Sequence, residues 1–158
     1  DNLYFYKNQK CFLALLTDKD HQITKFNISN YDKACSSIFS FTEEIKKSQI
    51  WNDRSHKMIK SIKLKSITLD TLLKNENISS KDYDHWVLDI QGAELLALKG
   101  SEESLRNCKS LHIEVSKKQF YDNGNLWLEI KEWLNERGFQ NYNEPRMDEE
   151  DILFVRST

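Results

Sequence analysis

The sequence predicts an α/β layer structure, and three observations carry that reading. A compact apolar run from His85 to Ile90 is followed by a helical stripe and then by alternating Leu111, Ile113 and Val115, a strand-helix-strand unit. A second helix, with Leu69, Leu72 and Leu73 on one stripe, has Thr68 placed to cap it. Two further strand-like runs, Phe139 to Tyr142 and Ile152 to Val155, follow Gly138. A chain of 158 residues with four Trp, six Tyr and eight Phe has enough apolar surface to hold a core without disulfides or a structural metal, so one domain spanning 1–158 is expected.

Taken in order, the leading residues up to Lys10 are polar and aromatic with no period, and Cys11 to Leu16 reads as a buried strand ended by Thr17-Asp18-Lys19-Asp20. Gln22 to Ile28 is a weaker strand, Asn30 to Ser40 is turn-rich, and Glu43 to Lys60 has no readable pattern. A strand at Ile62 to Ser66 leads into the helix capped by Thr68. The run from His85 is expected to be a strand covered on both faces. Gln91 and Gly92 turn into a helix with Leu95, Leu96 and Leu98 inward, and Gly100 sits where a left-handed cap is wanted. Ser101, with Glu103 and Ser104, restarts a helical piece, and the strand Leu111 to Val115 should run parallel to its predecessor. Asn125 is placed to cap a helix bearing Trp127, Ile130, Trp133 and Leu134, and Asp148 to Asp151 reads as an acidic loop.

Composition excludes several functions. All four glycines lie at or after Gly92, and neither G-x-G-x-x-G nor a P-loop pattern occurs, so the usual phosphate cradle is absent. A net charge of −2 gives no general attraction to nucleic acid or anionic membranes, and Lys57, Lys60, Lys63 and Lys65 read as a solvated face. No apolar run is long enough to span a bilayer and no signal peptide opens the sequence. Cys11, Cys35 and Cys108 are odd in number and far apart, which suits a reducing cytoplasm better than a disulfide framework or a zinc knuckle.

In open α/β sheets ligands gather beyond the carboxyl ends of parallel strands. Asp89 and Glu114 stand at two such ends and could together orient a hydroxyl, take its proton or hold a cation. The plainer alternatives are that Asp89 caps the following helix and that Glu114 makes a surface ion pair. His112, on the strand face of Glu114, would permit a metal site with Asp89 and Glu114, although a lone strand histidine is more often structural. No serine elbow or base-paired cysteine offers covalent catalysis.

The segments Ile67-Thr68-Leu69-Asp70-Thr71-Leu72-Leu73, Tyr83-Asp84 and Val87-Leu88-Asp89-Ile90-Gln91-Gly92-Ala93-Glu94, continuing through Leu98-Lys99-Gly100, resemble the FkbM family of S-adenosylmethionine-dependent methyltransferases. Leu15-Leu16-Thr17-Asp18, Ser36-Ser37, Ile113-Glu114-Val115 and Leu126-Trp127 through Gly138-Phe139 support it. The resemblance implies the later part of a Rossmann-like class I methyltransferase sheet, mostly parallel with an antiparallel C-terminal hairpin and helices on its faces. It also implies that the first two strands and the cofactor's glycine loop are missing. The implied cofactor is S-adenosylmethionine, with Ala14 and Leu15 near the adenine, Asp89 and Gln91 near the reacting methyl group, and Glu114 an acid on the substrate side. The implied reaction is O-methylation of a sugar or another small hydroxylated molecule, and no metal ligand is assigned. The expected partners are that small molecule, neither nucleic acid nor membrane, and a second copy through an exposed sheet edge. The competing reading is a non-catalytic α/β module that lacks the cofactor site and recognises a partner through that edge or through Trp51, Trp86, Trp127 or Trp133.

Overall fold

The structure, a computed structural model, describes residues 9–30, 34–47 and 56–157; the opening polar segment up to residue 8, residues 31–33 and the stretch containing Trp51 lie outside the described residues. The elements are β1 (Leu15–Leu16), β2 (Ile23–Ser29), α1 (Glu43–Lys47), β3 (Met58–Ile67), α2 (Leu69–Asn75), β4 (His85–Leu88), α3 (Glu94–Lys99), α4 (Glu102–Leu105), β5 (Ser110–Ser116), α5 (Trp127–Asn135), β6 (Phe139–Asn141) and β7 (Glu149–Arg156). No helix among the described residues is long and apolar enough to cross a membrane.

The α/β class is as the sequence predicts, but the strands form two sheets, β1-β3-β2 and β4-β5-β7-β6. Parallel pairing joins β1 to β3 and β4 to β5, whereas β2/β3, β5/β7 and β6/β7 are antiparallel, so the expected mostly parallel sheet is corrected. The cause lies in β3. It runs from Met58 to Ile67, well into the stretch that had no readable pattern, and pairs with β2 along its length. Lys25 then stands opposite Lys63 and Phe26 opposite Ile62, the alternation of a sheet with one wet face. The parallel β4/β5 pair and the antiparallel C-terminal hairpin β6/β7 match expectation.

The main core lies on one face of the four-stranded sheet. Leu111, Ile113 and Val115 of β5 and Ile152 and Phe154 of β7 pack under Leu95 and Leu98 of α3, Leu105 of α4, and Trp127, Ile130 and Leu134 of α5. On the opposite face Val87 is 70% exposed and Val155 44%. The expectation that β4 is covered on both faces is therefore overturned, because α3, α4 and α5 pack on the other side. Cys11 to Leu16 is likewise not a buried strand: only Leu15 and Leu16 pair, while Cys11 and Leu13 are exposed.

Local contacts revise three of the expected caps. Thr68 caps α2 as predicted, its Oγ1 accepting from Thr71 N at 3.1 Å. At the start of α4, however, the Asp70 carboxylate accepts from the N–H groups of Glu103 and Ser104 and from the Ser104 hydroxyl, so that a side chain of α2 caps α4 in place of Ser101. Helix α5 begins at Trp127, with Glu129 accepting from Leu126 N at 2.8 Å in place of the cap expected from Asn125. Gly100 ends α3 with φ −85°, not left-handed. Its glycine is required by proximity, since a Cβ there would collide with the carbonyl oxygen of Thr17. That contact brings the end of α3 against the loop after β1, and Asp70 N also donates to Gly100 O at 3.1 Å.

Candidate functional site

The site is built on the turn between β4 and α3. Two successive residues there have left-handed backbones, Gln91 at φ 59° and Gly92 at φ 90°. Glycine adopts this readily, but a residue with a Cβ does so at a cost of roughly 1–2 kcal/mol. Surrounding bonds hold the turn in place. Ser37 Oγ donates to Gln91 O at 2.7 Å, and Glu94 Oε1 accepts from Ile90 N at 2.9 Å and from Gly92 N at 3.2 Å. Glu94 therefore satisfies two amides of the turn, and no side chain, Asp89 included, caps α3.

The Gln91 side chain links the two predicted acids. Its Nε2 donates to Asp89 Oδ1 at 2.6 Å and to Glu114 Oε2 at 3.3 Å, while its Oε1 accepts from the Tyr121 hydroxyl at 2.6 Å. Asp89 and Glu114, 25 positions apart by their numbers, thus meet at one amide, as the strand-end argument predicts.

Two hollows flank this turn. One, of about 280 Å³, is lined by Ala14, Leu15, Leu16, Phe26, Ala34, Ser36, Ile38, Asp89, Ile90, Gln91 and Ala93. All four residues expected at the cofactor, Ala14, Leu15, Asp89 and Gln91, stand on its wall. The other, of about 20 Å³, is lined by Glu94, Glu114, Glu149 and Tyr121 with Gly92, Gln119, Asn125 and others. That volume admits a single water-sized group and no ring.

The small niche is strongly acidic and partly dry. Burial, and then the charges of Glu149, Asp89 and Glu94, push the Glu114 carboxyl up to about 9, so it keeps its proton at neutral pH. Burial, with Asp89 and Glu94 next, lifts Glu149 to about 7. Glu94 is also raised, chiefly by burial. Lys118 reaches the niche, but its Nζ is paired with Asp148 at 2.7 Å.

Glu149, Tyr121 and the bond from Ser37 to Gln91 escaped sequence reading. Glu149 was assigned to an acidic loop, yet β7 starts there and pairs Glu149 with Ser116, two positions from Glu114 on β5. Continuing that strand backward from Ile152 and Phe154 puts Glu150 on their face and Glu149 on the opposite one, the face that carries Glu114. Tyr121 and Ser37 had no local signal as partners of Gln91, because both reach it from distant chain segments. The metal alternative is not assembled: among the described residues no three His, Cys, Asp or Glu side chains are placed to hold an ion. His112 is exposed, its ring centroid 6.4 Å from that of His85.

An acid and an amide on a strand-to-helix turn beside an apolar hollow suit transfer of a small group, and the family model of the Methyltransferase FkbM domain matches residues 4–140. The chain is thus of the methyltransferase class. It belongs to the FkbM methyltransferase domain family. No curated protein and no solved structure matches the chain.

Proposed function

We propose that this methyltransferase-family chain uses S-adenosylmethionine to methylate an oxygen of a sugar or another small hydroxylated molecule. The observation that supports the reading most directly is the Gln91 amide, which holds Asp89 and Glu114 together where the apolar hollow meets the acidic niche. The residues present suit such a cofactor. Leu15, Leu16, Phe26 and Ile38 offer an apolar wall for an adenine, and Ala14 leaves room beside it. The rim of that hollow carries Asp89, which favours a cationic sulfonium.

When bound, S-adenosylmethionine supplies an electrophilic methyl group on positively charged sulfur. Ala14, Leu15 and Gln91 would hold it so that its methyl group would pass to an acceptor oxygen beside Asp89, with a neutral thioether as the leaving group. Asp89 accepts the hydroxyl proton. Glu114, still protonated, both donates and accepts hydrogen bonds, which suits gripping a second hydroxyl of a polyhydroxylated acceptor. A niche with room for one water-sized group takes that hydroxyl while the rest of the acceptor stays at its mouth.

The decisive experiment is Asp89→Asn in a methyl-transfer assay over a panel of hydroxylated acceptors. Turnover should fall by about 100-fold or more, with S-adenosylmethionine affinity nearly unchanged. Equal turnover in wild type and variant would remove Asp89 from the reaction. The family resemblance also implies that the 158-residue chain by itself binds the cofactor weakly, since no glycine precedes Gly92. Micromolar affinity by calorimetric titration would contradict that reading. The chain is further read as one cytoplasmic domain that binds neither nucleic acid nor membrane. Among the described residues β4 pairs only with β5, and this supports self-association through its outer edge. A monomer by light scattering would refute it.

A further inference from the structure

We propose that Tyr121 is a positioning residue for this site: its hydroxyl holds the Gln91 amide with the NH2 group turned toward Asp89 and Glu114. The inference rests on the methyl-transfer reading for its consequence in turnover, but its geometry is independent of any substrate.

The orientation of an amide is decided by its partners. The Gln91 amide nitrogen is the atom that faces Asp89, donating to its Oδ1 at 2.6 Å. The amide oxygen then faces the other way, and it meets the Tyr121 hydroxyl at 2.6 Å. That hydroxyl has one proton to give. Its other neighbour, Cys35 O, lies at 3.4 Å, so the shorter bond to Gln91 takes the proton. Burial, reinforced by the surrounding acids, pushes the phenol well above its ordinary value, and Tyr121 remains a donor throughout the working pH range. Without that donor the amide oxygen loses its partner, and the NH2 group is no longer held between the two carboxyls.

The surroundings of Tyr121 fit this role. It is 5% exposed and packs on Phe41, with ring centroids 5.4 Å apart, and a β-bridge joins the two backbones. Two of the chain's four glycines press against it. A Cβ added at Gly92 would lie 3.1 Å from Tyr121 Cβ and Cγ, and one at Gly124 would lie 3.0 Å from Tyr121 Cβ. Both glycines leave the space that the tyrosine fills. The titratable groups around the amide are Asp89 on the turn, Glu114 on β5, Glu94 on α3, Glu149 on β7 and the buried Cys35 thiol beside Tyr121. The hydrogen bond to the amide oxygen comes from the Tyr121 hydroxyl.

The test is Tyr121→Phe, read first by NMR on the full chain without cofactor or acceptor. In the wild type the Gln91 side-chain amide protons, assigned with Gln91→Leu, should exchange slowly. In Tyr121→Phe they should exchange at least about 10-fold faster, and the Glu114 carboxyl should titrate at a different pH. In the Gln91→Leu background the same tyrosine change should leave the Glu114 titration where Gln91→Leu put it. A structural role alone would not produce that dependence. Fast exchange in the wild type overturns the proposal even if Tyr121→Phe does not fold, and so does a folded variant with unchanged exchange and titration. In protein that transfers methyl groups, Tyr121→Phe should lower kcat about tenfold with little change in the donor KM. If the NMR results hold and Asp89→Asn keeps full turnover, the positioning stands and the methyl-transfer reading falls.

Discussion

The two sheets place similar aliphatic side chains in opposite surroundings. In the four-stranded sheet, Leu111, Ile113, Ile152 and Phe154 are fully buried beneath α3, α4 and α5. In the three-stranded sheet, Ile23 is 67% exposed and Ile59 58%, with no helix over them among the described residues. Sequence alternation alone does not separate the two cases. A β-branched residue on a strand stabilises only when another element covers it, so stability should concentrate in the C-terminal sheet while the N-terminal sheet mainly shapes one wall of the larger hollow.

The largest expected effect tests that contrast directly. Phe154→Ala should destabilise the chain by about 3–5 kcal/mol in denaturant unfolding, whereas Ile59→Ala should stay within about 0.5 kcal/mol. Comparable losses at the two positions would erase the distinction. Next comes the joint between the sheets: Gly100→Ala forces a Cβ into the Thr17 carbonyl and should cost about 1–3 kcal/mol. A neutral result would mean that the end of α3 can move away from the loop after β1. Asp70→Ala strips α4 of its borrowed cap and should cost about 1 kcal/mol, with hydrogen exchange rising first at Glu103 and Ser104.

A further effect is a slope with pH, and it belongs to the four-stranded sheet. Glu114 and Glu149 titrate near 9 and 7 in the folded chain, against 4.5 for a free glutamate. Native protein therefore holds protons that the unfolded chain has released, and stability declines as pH rises from about 4.5 toward 9. Below 4.5 both states are protonated and the contribution is fully present. Glu114→Gln should flatten the decline in melting temperature across that range. An unchanged slope would place the raised carboxyl elsewhere.

Much of the site was legible before any coordinates. The turn from Asp89 to Gly92 announces itself by an apolar run ending in an acid, followed by a glycine and a leucine stripe, and Glu114 lies near the same end of the next strand. Local alternation also placed β5 and its parallel partner. Legibility failed where one segment borrows from another. Asp70 caps a helix more than thirty residues away, Gly100 exists for the sake of Thr17, and Tyr121 completes the hydrogen bonding of Gln91 from beyond β5. None of these pairs shares a period or a motif, so no window along the chain contains both partners.

By itself the sequence determined the α/β class, because hydrophobic period, capping residues and glycine position act over a few residues, and its motifs identified the family. Tertiary structure decided the rest. It split the strands into two sheets, left one face of β4 uncovered, turned Glu149 from a loop acid into a neighbour of Glu114, and aimed the Gln91 amide. Those outcomes depend on which surfaces meet and which polar groups lose water together, and burial of that kind is a property of the packed chain that no single segment encodes.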